Sequence, residues 1–307
     1  MKKFLFLAVA AMLATTLQAR IYTELRVLKG DEVAYAAEVN QIDSIIFVEV
    51  DDTKPGELSG EFSVGAKQTV HFSQGNLQYQ ASTHTWRFAE HQYDMIGDAN
   101  SNISDTYDGW IDLFGWGTGD SPTNASSDYD EGYPNYAEWG ANAISNGGDE
   151  PNVWRSLRRD ETEYLFKSRV NADSLFGFGN IAGLNGLIIL PDNWETPDSV
   201  TFVPSLRLSL EKRSSGDYRN TKGDNYLHNN YTYEQWAIME AAGAVFLPAS
   251  GRRNSGKAIT DVNDKDSIWL STSSRANTAN SLTMRNDFLD VSTANFRHLG
   301  SSVRLVR

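Results

Sequence analysis

The sequence predicts an α+β fold: short strands, two main helices and long loops, preceded by a small β unit. Three observations carry this. Short apolar runs rich in β-branched and aromatic residues recur between Gly-, Asn- and Asp-rich stretches. Only two segments past the N-terminus keep a helical period. No fixed-period repeat is present, so a solenoid or propeller is not expected.

The elements follow in chain order. Lys2 and Lys3, the apolar run Phe4 to Leu13 and the small-residue end Leu17-Gln18-Ala19 stand in the order of a secretory signal over 1–19, with a mature start expected at Arg20. The run is too short for a stable membrane anchor, and no other long apolar segment exists, so no membrane span is expected. No Cys follows it to carry a lipid. Residues 20–55 read as a short β unit and linker. Ile21, Tyr22, Leu25, Val27 and Leu28 precede a Gly30-Asp31 turn, Ile45 to Val50 reads as a strand, and Asp51 to Gly56 is the linker. Residues 56–307 form the main domain. Phe62 to Gly65 and Thr69 to Phe72 pair as strands, and Trp86 to Phe88 is a third. Glu161 to Arg169 reads as a helix capped by Asp160. Tyr231 to Gly243 is the clearest helix, with Thr232 as N-cap and Gly243 as its stop.

Composition bounds function. A net charge of -13 over 307 residues argues against nucleic acid, whose affinity comes from Lys and Arg neutralising phosphates. With 0 Cys there are no disulfides, thiolate zinc sites, iron–sulfur clusters or cysteine nucleophiles. The charge is unevenly placed: 88–154 holds no Lys or Arg but many Asp and Glu, whereas 250–307 is mildly basic. One account is attraction between the two parts within one fold. The other is a cation site in the acidic part and a ligand surface in the basic part.

Several constellations bear on chemistry. Asp98, Asn100 and Asn102 place oxygens as a Ca²⁺ loop does, but the loop lacks its sixth-position Gly and its twelfth-position Glu. A plain Asx-turn loop is the favoured reading, and no other cofactor is indicated. Trp110, Phe114, Trp116 and Trp139 could stack on sugars; for Trp110 and Trp116 an aromatic core is preferred. The histidines have no metal-site spacing, and no G-x-S-x-G elbow supports a hydrolase. Asp128/Asp130 and Asp149/Glu150 are carboxylate pairs of the kind glycosidases use, and read better as turn residues. Arg155, Glu163 and Arg304 read as structural, through partly buried charge pairing.

A set of strings, in order, carries a family resemblance: Gly75-Asn76-Leu77-Gln78-Tyr79, Trp86-Arg87-Phe88-Ala89, Gly109 to Thr118, and Trp154-Arg155-Ser156-Leu157. Then come Gly186 to Trp194, Gly243 to Gly251, Trp269 and Ser302 to Val306. Over about residues 60–307 the chain resembles the secreted "Fibrobacter major paralogous domain" proteins of Bacteroides-like bacteria. Their fold is similar to the formylglycine-generating-enzyme variety of the C-type lectin fold. The resemblance implies a fold more firmly than a function. The enzyme's activity needs cysteines that this chain lacks. Some proteins of this fold are variable targets of diversity-generating retroelements, whose C-terminal segment forms a ligand face. The resemblance therefore implies an exported, non-enzymatic protein at the cell surface, outside the cell or in the periplasm, binding a protein or glycan. Its expected exposed contacts are Arg252, Ile268, Leu270, Asn280, Thr283, Arg285, Asn286, Asp287 and His298. The arginines would give charge-assisted bonds, Asn280 and Asn286 adaptable ones, and Ile268 and Leu270 apolar area. A carbohydrate-active enzyme using the acidic middle and a structural component of a surface assembly are the alternatives.

Overall fold

A computed structural model describes residues 24–29, 32–38, 54–127, 135–205, 210–212, 218–220, 225–286 and 288–307. The expected signal over 1–19 and the strand at 45–50 lie outside them. The chain divides into two units, Met1–Asp52 and Thr53–Arg307. In the first, β1 (Glu24–Lys29) and β2 (Glu32–Glu38) form an antiparallel hairpin across the Gly30-Asp31 position.

The second unit is mixed α+β and mostly strand. In order it contains β3 (Phe62–Gly65), β4 (Gln68–Val70), β5 (Leu77–Gln80), β6 (Thr85–Phe88), β7 (Trp110–Ile111) and β8 (Arg155–Ser156). Helix α1 (Arg159–Lys167) follows, then β9 (Phe176–Ile181), β10 (Leu184–Ile189), β11 (Leu210–Lys212), β12 (Tyr218–Asn220) and β13 (Asn230–Tyr231). After α2 (Tyr233–Ala241) come β14 (Val245–Pro248), β15 (Arg252–Arg253), β16 (Ile259–Thr260), β17 (Lys265–Arg275), β18 (Thr278–Arg285), β19 (Phe288–Phe296) and β20 (Leu305–Val306).

Two sheets organise the unit. One has the order β13-β9-β10-β14, the other β11-β12-β19-β18-β17. The first is buried on both faces, so its strands read as continuous apolar runs. Strand alternation sends Leu187, Ile189, Val245 and Leu247 into a core with Phe62, Phe72, Leu165, Phe166 and Phe178. It sends Ile188, Leu190 and Phe246 to the other side, against Trp236 and Met239 of α2. A third, Trp-rich core gathers Trp86, Phe88, Phe114, Trp116, Trp139, Trp154 and Trp269.

Helix α2 starts as the sequence dictates. The Thr232 Oγ1 accepts the Gln235 N–H at 3.2 Å, and the Gln235 side chain returns to the Thr232 N–H at 3.0 Å. Gly243 ends it at φ 94°, a left-handed conformation that costs glycine nothing. Helix α1 begins two residues before its expected start, and Asp160 is not its cap. Glu161 sets the start: its carboxylate, wholly buried, accepts the Arg158 N–H at 2.8 Å, both Arg155 guanidinium nitrogens at 2.8 Å and Gln68 Nε2 at 2.9 Å. Arg155 is thus structural, but through Glu161 and not Glu163, which pairs with Arg159 on the surface.

Candidate functional site

The C-terminal sheet carries the expected ligand face. In β17 and β18, Ile268 faces Leu282 and Ser267 faces Thr283 across the pair. Period-2 alternation gives the two faces opposite chemistry. Ile268, Leu270, Leu282, Met284, Leu289 and Val291 enter the main core. On the polar side, Ser267 Oγ lies 3.0 Å and Ser281 Oγ 3.1 Å from Thr283 Oγ1, and Asn295 Nδ2 donates to Ser281 Oγ at 2.7 Å. Ser267, Ser281 and Thr283 are all buried, so each hydroxyl needs the partner it has.

This corrects the expected exposure of five residues. Ile268 and Leu270 are core side chains. Asn280 is buried and its Nδ2 donates to Ser292 O at 2.9 Å. Thr283 belongs to the hydroxyl cluster. His298 is buried, and burial, with Arg253 second, holds its imidazole pKa below the usual range. The remaining described residues do reach the surface. Arg285 is exposed, Asn286 is half-buried, and Arg252 is half-buried with its Nε 3.3 Å from Asp261. Asp287 lies outside the described residues.

The sequence reading missed Lys265. It pairs in register with Arg285 and lies close to Arg252. Burial and then Arg252 pull its ammonium pKa down, Asp261 opposes this, and Arg285 adds to it. Three strands thus bring Arg252, Lys265 and Arg285 to the same end of the sheet. Only the register between β17 and β18 could have revealed it, and one sequence does not carry that.

Directly behind Lys265, Asp266 is fully buried. Its Oδ2 accepts Ser302 Oγ–H at 2.5 Å, and its Oδ1 has no hydrogen-bond partner among the described residues. Burial pushes its carboxyl up to about 8, against the hydrogen bonds from Ser302 and Ser267. Asp112, also buried and close enough to add to that rise, is itself pushed up to about 6 by burial, against hydrogen bonds from Ile96 N–H and Asn100.

In the Ca²⁺-like loop, one of the three oxygen side chains is committed elsewhere. Asn100 is buried; its Oδ1 accepts the Asp112 and Leu113 N–H groups, and its Nδ2 donates to Gly97 O and to Asp112 Oδ1 at 2.8 Å. Asp98 and Asn102 are exposed. Asn100 is a strut for Asp112, with no oxygen turned toward a cation. Trp116, Trp139 and Phe114 are core, and Trp116 Nε1 donates to Leu270 O at 2.8 Å. Trp110 is half-buried beneath the Arg87 guanidinium, 3.7 Å from its ring centre. Asp149 and Glu150 are exposed; Asp128 and Asp130 lie outside the described residues. Arg304 is wholly buried, but amides hold it, not a carboxylate: Nη2 donates to Gln92 Oε1 at 2.9 Å and Nη1 to Asn76 Oδ1 at 3.4 Å. Burial brings its pKa down to about 9.

No family model matches the chain, and neither a curated protein nor a solved structure matches it.

Proposed function

We propose that the chain is an exported, non-enzymatic ligand-binding protein with a C-type lectin-like fold. Its ligand, an anionic group on a protein or glycan, docks at the Arg252–Lys265–Arg285 end of the C-terminal sheet. One observation carries the reading: three cations from three strands converge in a chain whose net charge is -13. The signal-like N-terminus and the order of the shared strings support export and the fold. The burial of Ile268, Leu270, Asn280, Thr283 and His298 argues against retroelement-driven variation of a face built from them.

The test is a binding screen against sialylated and sulfated glycans and acidic proteins, using the chain from Arg20. Exchanging Arg252 and Arg285 together for Ala should cut affinity about tenfold or more and leave the melting temperature in place. Unchanged affinity in the double variant would remove this docking site.

A further inference from the structure

Residues 90–94 read Glu-His-Gln-Tyr-Asp, and the structure turns them in alternation. Gln92 points in and is fully buried. Its Nε2 donates to Ala244 O at 3.1 Å, and its Oε1 accepts the Phe246 N–H at 2.7 Å and Arg304 Nη2 at 2.9 Å. On either side of this anchor, His91 is exposed and Tyr93 is half-buried against the core beneath α2, and the His91 N–H is held by Asp94 Oδ2 at 2.9 Å. The His91 and Tyr93 rings stack with centroids 5.0 Å apart at 17°. Tyr93 meets Tyr233, the first residue of α2, at 4.9 Å and 42°. Tyr93 is therefore the middle ring of three. His91 is exposed and Tyr233 is 47% exposed. The two phenol hydroxyls and the His91 ring nitrogens have no hydrogen-bond partner among the described residues.

The surroundings are negative. Glu90, Asp94 and Glu240 lie near Tyr93 and, after burial, hold its phenol pKa above the usual range. Glu234 adjoins Tyr233. None of these four carboxylates has an ion-pair partner among the described residues. Arg87 feels Glu90 and Asp94, but its guanidinium lies on Trp110. Aromatic faces attract cations through their quadrupole, and desolvating unpaired carboxylates against a neutral apolar partner is costly. An anion would be repelled.

We infer that the His91–Tyr93–Tyr233 stack binds an organic cation, an ammonium or alkylated ammonium group seated on an outer ring face and edged by Glu90, Asp94 and Glu240. The site is separate from the docking site proposed above and stands without it. Tyr93, packed against the core, fixes the middle of the stack, so little of its side-chain entropy is lost when the cation arrives.

The experiment titrates the full chain calorimetrically with choline, with trimethyllysine amide and with 3,3-dimethylbutan-1-ol, the uncharged isostere of choline. At least one cation should bind saturably and more weakly in high salt, with the isostere weaker by about fivefold or more. The ratio of the two cations tells a free small molecule from a side chain presented on a polypeptide. Tyr233→Leu should weaken the better cation by about fivefold at an unchanged melting temperature. Glu90→Gln alters an exposed carboxylate and no packing, and should weaken it about twofold at low salt. The inference is overturned by equal binding of choline and isostere, by no saturation with either cation, or by both variants binding like the parent.

Discussion

Replacing Asp266 by Asn should make the protein more stable near neutral pH, and by an amount that grows with pH. The carboxyl is fully buried in the fold and titrates at about 8 there, against 3.8 when free. The folded state therefore holds a proton that the unfolded chain releases as pH rises through this window. Stability is lost progressively between the two values and is lost in full above the higher one. At one pH unit per about 1.4 kcal/mol, the buried acid costs roughly 4 kcal/mol at pH 7 and under 2 kcal/mol at pH 5. Asparagine keeps an oxygen for the Ser302 hydroxyl and carries no proton to lose. An unsatisfied Asn amide would add a pH-independent cost of about 1–3 kcal/mol. The slope is therefore the diagnostic, not the absolute gain. Urea unfolding followed by fluorescence of the 8 tryptophans, at pH 5 and pH 7, should show parent and variant diverging by about 3 kcal/mol. Asp112, pushed up to about 6, remains in both proteins and cancels. A difference between parent and variant that stays constant across the range would refute the reasoning.

Two further outcomes follow from buried polar groups and caps. Glu161→Ala removes the buried acceptor of the Arg158 N–H and of the Arg155 guanidinium, itself one-third exposed, and should cost about 2–3 kcal/mol in chemical denaturation. Thr232→Ala removes one half of the capping box of α2 and should cost about 1 kcal/mol, read as a small fall in melting temperature.

What was legible in the sequence was local. The N-cap at Thr232 and the stop at Gly243 lie within one turn of the helix they bound, and both appear as expected; the return bond from Gln235 is an addition the structure shows. The β3–β4 pair is a short-range hairpin and appears with a small shift of bounds. The C-terminal meander is not evident in the sequence, and residues from both of its faces, Ile268, Leu270, Asn280 and Thr283, are expected at the surface but are buried. Ser, Thr and Asn alternating with Ile and Leu resemble a solvated face beside a core face, but here both faces are covered. Ile268 and Leu270 fill the core, and Ser267, Ser281 and Thr283 satisfy one another. Nothing in the local pattern distinguishes a hydroxyl bonded to water from one bonded to a neighbouring strand. The Lys265–Arg285 proximity depends on strand register, and the His91–Tyr93–Tyr233 stack joins residues that are far apart in sequence.

The acidic middle and the basic tail do meet, and among the described residues no ion pair joins them. The contacts that join them include backbone and aromatic N–H bonds, and the tail's Arg297 and Arg307 lie over Trp116 and Trp154, 4.4 and 5.2 Å from the ring centres. Phe114 and Ser301 exchange both backbone hydrogen bonds at 2.9 Å. Trp269 Nε1 donates to Phe114 O at 2.7 Å, and Trp116 Nε1 to Leu270 O at 2.8 Å, so each segment lends the other an indole. Even Lys257, a cation of the tail, spends its ammonium on a backbone carbonyl, Ile103 O, at 2.6 Å. Such directional bonds fix the relative placement of two segments more sharply than exposed ion pairs, which are worth little and are screened by salt. The geometry leaves surface carboxylates of the middle region, such as Glu90 and Asp94, without partners in the tail. The two surfaces thus differ in charge: Glu90 and Asp94 edge the Tyr93 stack, while Arg252, paired with Asp261, lies with Lys265 and Arg285 at one end of the C-terminal sheet.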